Sequence, residues 1–592
     1  MPSTPRTESP LRQRLVGLSM VLVVAGLLFG GYSYWPAMPT APRWLGAGDD
    51  TPRDGGTFIF HHESNVRSLD PHIAYDELSG MAVRLIYDGL LDYDYDSNLI
   101  PRIAEALPTI TDEGKTFHFR LRHGVRFHPL PGHPDGRELT ALDVRFSMER
   151  LLSHTTGSPG FPFYKSIEGA EEYHEGHSDH VSGIRVLDRY TIEFHLTEPD
   201  QTFLNAMAMT FAYPVAHETY EHWGAEANMH PAGTGPFVFD SWERGVDLRF
   251  SRNTHYFLPH HPGPDHMVFQ ENLQRAVAFM RFLNGDLDAI HRETTPDYLL
   301  LKGAPAWAPY RLEFPHAQVF GIGMNCEIAP FDDVHIRRAI AFALDREGWA
   351  RARAGRLQPA GQALPPMIPG YDANLPNLQT FDLTRAREQM RLAGHPDGLD
   401  DEIEVWFTEG ETSRFYGELL QQDLARIGIR VRIRQVSFAT YLEQTGKPHT
   451  VAAFSTGWNM DFPDPSNFLD ILFNSRSIHP DHSENRSFYR NPEVDRLLDT
   501  ARSETDHTRR IALYRQANDI VSHDAPWAFA YYPMSFEAWQ PYVKNYRPHP
   551  IWSEDYRDVW LDLPRRHAER PLFGTGHARN VAATLFPFGG LR

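Results

Sequence analysis

Strand and helix patterns alternate in the second half of the chain, and this alternation constrains the fold class more than any other feature. A strand is predicted over residues 404–408, a helix over 415–427 and a second strand over 430–436. Gly428 follows the helix, where a glycine commonly forms the C-terminal cap. A strand, a helix and a strand in this order are typical of a layered α/β domain, so we predict the α/β class.

Residues 116–152 repeat this kind of pattern in the first half of the chain. Apolar residues alternate with polar ones over 116–122, which predicts a strand with one buried face. Thr140 and Asp143 have the spacing of a capping box, and an amphipathic helix is predicted to follow them up to about Leu152. A strand, a Pro/Gly-rich loop and a capped helix therefore succeed one another.

Length, charge and cysteine content exclude several classes of protein. A chain of 592 residues is longer than a single hydrophobic core usually accommodates, so two or three domains are predicted. The formal charge of −20 argues against nucleic acid as a partner. The single cysteine, Cys326, excludes intrachain disulfides and cysteine zinc clusters. Gly114-Lys-Thr116 lacks the earlier glycine of a P-loop, so no cofactor is predicted.

The N-terminus carries an apolar run that predicts contact with a membrane. Residues 16–35 contain no charged side chain, and Arg6, Arg12 and Arg14 precede them. About twenty apolar residues span a bilayer as a helix, and basic residues keep the upstream end, residues 1–15, in the cytoplasm. Because the run is longer than a usual signal core and no clean cleavage site follows it, we favour an uncleaved anchor over a cleaved signal.

Residues 457–470 have a composition that fits neither a helix nor a plain strand. Pro463 and Pro465 force an extended or turning path. A rigid loop with a carboxylate beside aromatic side chains suits a cationic group in an apolar pocket. Asp464 is explained more simply by an Asx-turn and a helix cap, whereas a structural and a binding role both remain open for Asp461.

Two shorter patterns give further structural expectations. The run from Asp92 to Asn98 alternates acidic and aromatic residues, but it lacks the glycine and glutamate of an EF-hand loop. It is predicted to be a strand with solvated alternate residues. Gly233-Thr-Gly235-Pro is predicted to be a turn that needs positive φ and tight packing.

Several of these segments together resemble one known family. Gly457-Trp458-x-x-Asp461-x-Pro463-Asp464-Pro465 resembles the cleft loop of family 5 extracellular solute-binding proteins, the dipeptide- and oligopeptide-binding receptors of ABC importers. The ordered block over 116–152 and the segments 233–256 and 324–340 resemble the same family. The resemblance runs from about residue 54 to 562, and residues after about 565 match nothing in its pattern.

The resemblance implies an α/β periplasmic-binding-protein type II clamp with two hinged lobes plus an extra domain, here preceded by an N-terminal transmembrane helix. In the family's peptide binders, the aspartate that matches Asp461 pairs with the α-ammonium of the peptide. Trp458, Phe462 and Asn459 are then expected beside the ligand. The peptide backbone would extend strands of the cleft by β-augmentation. For Arg337, a structural ion pair is favoured over contact with a ligand carboxylate.

The resemblance also implies a division of the chain, which we expect to be as follows: a cytoplasmic N-terminus 1–15, an anchor or signal 16–35, a linker 36–53, a discontinuous domain I formed by 54–95, 217–313 and 527–564, domain II 96–216, domain III 314–526 and a tail 565–592.

The implied function is a monomeric, membrane-anchored receptor on the periplasmic side of the inner membrane. It would capture short peptides in a closing cleft and deliver them to an ABC permease, without enzymatic activity. Since the family also binds nickel chelates, sugars and other solutes, a non-peptide ligand stays open. A zinc-dependent periplasmic enzyme using His174, His177 and His180 is the competing class, although these residues lack the His-Glu-x-x-His spacing. A membrane-tethered sensor or chaperone is a third.

Overall fold

The computed structural model describes residues 52–258, 263–291, 294–552 and 554–562. The predicted anchor at 16–35, nearly all of the predicted linker and the predicted tail lie outside these ranges. Within them, no helix combines the length and the apolar character needed to cross a bilayer.

The helices of the described chain are α1 Glu77–Ile86, α2 Ala141–Leu152, α3 Ala170–His174, α4 Phe203–Ala208, α5 His217–Trp223, α6 Arg275–Leu283, α7 Thr295–Gly303, α8 Val334–Ala343, α9 Arg346–Ala352, α10 Leu383–Leu392, α11 Glu411–Ala425, α12 Phe438–Thr445, α13 Ser466–Phe473, α14 Pro492–Ser503 and α15 His507–Asp524.

The strands are β1 Thr57–His61, β2 Leu91–Tyr93, β3 Leu99–Pro101, β4 Thr109–Thr111, β5 Thr116–Arg120, β6 Ile184–Asp188, β7 Thr191–His195, β8 Phe237–Glu243, β9 Asp247–Arg252, β10 His266–Gln270, β11 Ala289–His291, β12 Arg311–Pro315, β13 Gln318–Met324, β14 Leu357–Pro359, β15 Ile403–Thr408, β16 Val431–Val436, β17 Ala453–Asn459, β18 Trp527–Trp539, β19 Val543–Lys544 and β20 Trp560–Leu561.

Three sheets carry most of these strands, so the α/β class is confirmed. The first has the order β1-β10-β9-β8, and the second has the order β4-β5-β7-β6. The third and largest follows the order β11-β18-β13-β17-β15-β16, with β12 and β14 also paired to β18. The predicted strand–helix–strand unit is present as β15, α11 and β16, with β15 and β16 parallel, and Gly428 takes a φ of 76° after the helix.

Strand β18 is long enough to serve two parts of the largest sheet. Its first half pairs with β13, and its second half pairs with β12 and β11. Pro533 lies where the partners change. A proline cannot donate a hydrogen bond to a neighbouring strand, and it is tolerated best where the regular pairing is interrupted. One continuous strand therefore connects the region before residue 314 to the region after it.

The predicted capping box of α2 is confirmed. The Asp143 carboxylate accepts hydrogen bonds from Thr140 N at 2.8 Å and from Thr140 Oγ1 at 3.0 Å. The carboxylate also pairs with Arg137. The apolar stripe that follows is fully buried, with Val144, Met148, Leu151 and Leu152 each at 0 % exposure.

The prediction for residues 92–98 is wrong. Strand β2 is buried throughout, and residues 94–98 form the turn that leads into β3. Asp92 is only 2 % exposed, because Arg557 Nη2 and Arg102 Nε lie 2.9 Å and 3.2 Å from its carboxylate and neutralise it. An alternating pattern cannot distinguish a solvated acid from a buried ion-paired one.

The interpretation of Gly233 and Gly235 needs a similar correction. Neither residue is among the glycines with positive φ. Tight packing is nevertheless present, since a Cβ at Gly233 would lie 2.2 Å from the carbonyl oxygen of Ile86, and one at Gly235 would lie 2.7 Å from it. The close approach of the α1 backbone, rather than a left-handed turn, requires these glycines.

Candidate ligand-binding cleft

The loop between β17 and α13 is held by the side chain of Asn467, which is completely buried. Its amide oxygen accepts hydrogen bonds from Asp461 N at 2.9 Å and from Trp458 Nε1 at 3.2 Å. Its amide nitrogen donates to Asp461 Oδ2 at 2.9 Å. One asparagine therefore fixes both the backbone and the carboxylate of Asp461.

Asp464 has a structural role, as its position before α13 predicts. Its Oδ1 accepts from Ser466 N at 2.9 Å, which forms the Asx-turn at the start of the helix. Arg510 donates two further hydrogen bonds to the carboxylate, at 2.6 Å and 2.8 Å. Because both charged groups are buried and paired with each other, Asp464 has no capacity left for a ligand cation.

Asp461 differs from Asp464 in its electrostatic surroundings. No lysine, arginine or histidine of the described chain forms an ion pair with its carboxylate. Burial raises the pKa of Asp461 to about 6, and the hydrogen bond from Asn467 only partly opposes this rise. A carboxylate held in place without a counter-ion gains strongly from a cation that enters the site.

Tyr75, which is distant in sequence, lies beside Asp461. Its hydroxyl interacts with the Asp461 carboxylate, while 44 % of the residue as a whole stays exposed. Its ring contacts Phe211, with centroids 5.3 Å apart. Phe163 in turn meets Phe462 edge to face at 6.4 Å. Because Phe163 also stacks on Phe211 with centroids 6.2 Å apart, these four rings form one connected aromatic group that reaches the acid through Tyr75.

A cavity of about 1580 Å³ begins at this aromatic group and extends along the largest sheet. Trp458, Phe462 and Tyr75 line it, and the Tyr75 hydroxyl interacts with the Asp461 carboxylate. Asn459 is exposed at the end of β17, where its side-chain oxygen accepts a hydrogen bond from Gln318 Nε2 at 3.1 Å. The structure thus brings together three of the four residues expected beside a ligand and leaves Asn459 at the margin.

The cavity also contains a cation that the sequence pattern did not single out. Arg353 follows α9 and lines the cavity, and no carboxylate of the described chain lies within ion-pair distance of it. Its Nε is buried without a hydrogen-bond partner, although its guanidinium also interacts with the Tyr416 hydroxyl. Arg353 and Tyr75 carry no local sequence signal, because only the tertiary fold brings them to this cavity.

The remaining candidates from the sequence lie elsewhere. Arg337 is buried and donates to the backbone carbonyls of Asp524 and Phe331, so its role is structural through carbonyls rather than through an ion pair. His174 bonds to the Leu152 carbonyl, whereas His177 and His180 are exposed. In the described ranges, no group of three or more histidine, cysteine, aspartate or glutamate residues is arranged to hold a metal ion.

Comparison with known families agrees with the fold and with the cleft. Residues 98–479, more than half of the chain, match the model of the bacterial extracellular solute-binding proteins, family 5. The chain belongs to this family. The family's members are solute-binding receptors and not enzymes, so the zinc-enzyme alternative is set aside.

Individual relatives share most of their length with this family 5 chain. The di/tripeptide-binding protein 2 of Pseudomonas aeruginosa is 30 % identical over 79 % of this chain and 87 % of its own. Heme-binding protein A of Haemophilus influenzae is 28 % identical over 86 % of this chain and 92 % of its own. The periplasmic binding protein DppA of Helicobacter pylori, solved with the peptide STSA, has a TM-score of 0.73 and 26 % identity, covering 86 % of this chain and 99 % of its own.

Proposed function

We propose that this family 5 protein binds short peptides in the cleft and delivers them to the permease of an ABC importer. The observation that carries the proposal is the Asp461 carboxylate, which is held rigidly by Asn467 and has no counter-ion in the described chain. The α-ammonium of a peptide supplies the missing positive charge. This ammonium group would displace the Tyr75 hydroxyl and bind beside the carboxylate.

Arg353 is the candidate for the carboxylate end of the peptide. It lines the same cavity as Trp458 and Phe462, and its planar guanidinium suits a carboxylate with two hydrogen bonds. A cavity with an acid near one end and a cation elsewhere in its wall favours a zwitterionic ligand of matching length. Its volume of about 1580 Å³ exceeds the range of roughly 300–1,000 Å³ of ordinary small-molecule sites, which favours a ligand larger than a metal ion.

The domain division expected from the sequence fits this use of the cleft. Domain I comprises 54–95, 217–313 and 527–564, domain II comprises 96–216 and domain III comprises 314–526. Strand β18 passes from the sheet partners of domain III to those of domain I, and it is our candidate for one hinge segment. Closure of the lobes would remove the Asp461–ammonium pair from water and strengthen it.

The cellular setting follows from the N-terminal sequence and from the family. The basic residues before residues 16–35 orient the folded chain outside the cytoplasm. We propose an uncleaved anchor that tethers a monomeric receptor to the periplasmic side of the inner membrane, and a cleaved signal would give the same receptor in free form.

A non-peptide solute is the alternative ligand. The similarity to heme-binding protein A favours it, because that relative is named for a solute of another class. The same cavity would then serve an importer with another substrate.

Native mass spectrometry of the full chain, purified gently in detergent after periplasmic expression, tests the proposal. We expect a series of bound masses that correspond to short peptides, and we expect Asp461→Asn to lose them. The loss of affinity should be roughly 2–5 kcal/mol, the scale for truncating one partner of a buried charge pair. A single non-peptide mass, or peptides retained in full by folded Asp461→Asn, would contradict it.

A further inference from the structure

Four aromatic rings form a continuous stack that ends in the wall of the cavity. Trp349 stacks on Tyr416 with centroids 5.8 Å apart, Tyr416 on Tyr531 at 5.0 Å, and Tyr531 on Phe320 at 5.1 Å. The interplanar angles are 22°, 28° and 13°. The stack starts at a buried ring, Trp349, and its other three members line the cavity. We call Tyr416, Tyr531 and Phe320 the aromatic shelf.

The sheet register explains why the shelf ends at Phe320. Phe320 on β13 pairs with Tyr531 on β18 on one side and with Gly457 on β17 on the other. A Cβ at Gly457 would lie 2.4 Å from the Phe320 ring. The glycine therefore allows the Phe320 ring to lie over the β17 backbone. The stack of rings ends at Phe320 because Gly457 has no side chain to continue it. Phe320 and Tyr531 are half-buried at this surface.

The shelf lies within reach of a peptide whose amino group is at Asp461. Gly457 precedes Asp461 by four residues, which span at most about 13 Å at a rise of roughly 3.3 Å per residue in a strand. An extended ligand advances by the same rise. In a tripeptide whose ammonium is beside Asp461, the second and third side chains are therefore the ones that extend along this span towards the shelf.

The chemistry of the shelf favours a planar partner over an equally apolar one. The Tyr416 and Tyr531 hydroxyls interact with each other, which keeps these two rings in register. The ring faces of the shelf are covered by one another and by the β17 backbone at Gly457, so a ligand ring would meet their edges. Edge-to-face contact between aromatic rings adds to the gain from apolar area alone. We propose that the aromatic shelf is a subsite that selects peptides with an aromatic side chain at the second or third position. This inference rests on the proposed peptide-binding function.

Calorimetric titration of the full chain in detergent, after removal of co-purified ligand, tests the inference. The probes are the peptides Ala-Phe-Ala and Ala-Ala-Phe and their counterparts with cyclohexylalanine, which has the same carbon skeleton without a planar ring. At one of the two positions, we expect the phenylalanine peptide to bind about threefold to tenfold more tightly than its counterpart. We expect Phe320→Leu and Tyr531→Leu each to reduce this ratio towards one.

Phe381→Leu serves as the matched control, because Phe381 is an exposed aromatic residue that contacts Arg426 away from the cavity. It should leave the ratio unchanged. Equal binding of phenylalanine and cyclohexylalanine peptides at both positions would overturn this inference alone. The same holds if the ratio persists in both folded shelf variants. Absence of binding by all four peptides would overturn the proposed peptide-binding function as well.

Discussion

Asn467 and Asp461 are joined by two hydrogen bonds that run in opposite directions. The Asn467 amide oxygen accepts from Asp461 N, and its amide nitrogen donates to Asp461 Oδ2, both at 2.9 Å. This pairing orients the carboxylate before any ligand arrives. Preorganisation of this kind reduces the ordering cost that binding otherwise incurs.

We expect Asn467→Ala to weaken peptide binding by about 1–3 kcal/mol, the cost of leaving buried polar groups unsatisfied. The variant removes the acceptor for Asp461 N and Trp458 Nε1, so the carboxylate loses its fixed position. Calorimetric titration with a short peptide measures the effect. Asn98→Ala is the matched control because that side chain is exposed and bonded to Asp94, outside the cavity lining, and an equal loss in the two variants would contradict the assignment.

Peptide affinity should fall at acid pH because the carboxylate of Asp461 must be ionised to bind an ammonium. Its pKa is raised to about 6 in the structure, and a bound cation would lower it. Below about pH 6, the free site holds a proton that the ligand must displace, so the Kd rises by up to tenfold per pH unit. The peptide's own ammonium stays protonated in this range. Binding above this range should proceed without the penalty.

Titrations at several pH values between about 5 and 8 measure this dependence. Asp470 lines the cavity, and burial raises its pKa to about 6 as well. The contributions of Asp461 and Asp470 to the pH dependence must therefore be told apart with variants of each. We expect the residual, weaker affinity of Asp461→Asn, titrated at higher peptide concentration, to be independent of pH, and the dependence to persist in Asp470→Asn. The opposite result would move the titrating group to Asp470.

Local sequence patterns were sufficient to predict these helices and strands, but they were not sufficient to predict all residues of the cleft. Strand β15, helix α11 and the capped helix α2 form as predicted, because short-range periodicity and caps determine them. Asp461 also stands out in the sequence, since it follows Trp458 in a proline-bound loop. Tyr75 and Arg353 reach the cavity only through the tertiary fold, and no spacing in the chain indicates them.

Errors of interpretation arose where two physical causes give one pattern. An acid in an alternating run is solvated in many strands, but Asp92 is buried because Arg557 and Arg102 neutralise it. A glycine allows a positive φ in many turns, whereas at position 233 a glycine is required because the Ile86 carbonyl oxygen leaves no room for a Cβ. In both cases the deciding partner is distant in sequence.

The buried pair of Asp464 and Arg510 should be essential to the stability of the loop. Arg510→Met leaves the Asp464 carboxylate buried without its counter-ion, and we expect the free energy of unfolding to fall by about 3–5 kcal/mol. The double variant Asp464→Leu/Arg510→Met should recover part of this loss. Urea unfolding measures both. Arg391→Met, which removes an exposed ion pair with Glu388, should have little effect, and equal losses for Arg391→Met and Arg510→Met would contradict the prediction.

His128 should make the folded protein sensitive to acid. It is 3 % exposed, its Nε2 donates to the Gly235 carbonyl at 3.0 Å, and burial lowers its pKa to about 4. The unfolded chain takes up the proton near pH 6.5, whereas the folded chain takes it up only near pH 4. Stability from this residue is therefore complete above about pH 6.5 and is lost progressively as the pH falls towards 4.

Between about pH 7 and pH 5, His128 should account for a loss of about 2 kcal/mol in the free energy of unfolding. His128→Gln keeps a donor for the Gly235 carbonyl but removes the titrating group, so its stability should change less over this interval. Urea unfolding at several pH values measures the difference. His180→Gln, at an exposed histidine, should retain the full pH dependence of the unmodified chain. If His128→Gln retains it too, acid sensitivity originates elsewhere, with His61 and His72 as the next candidates because burial lowers the pKa of each to about 4.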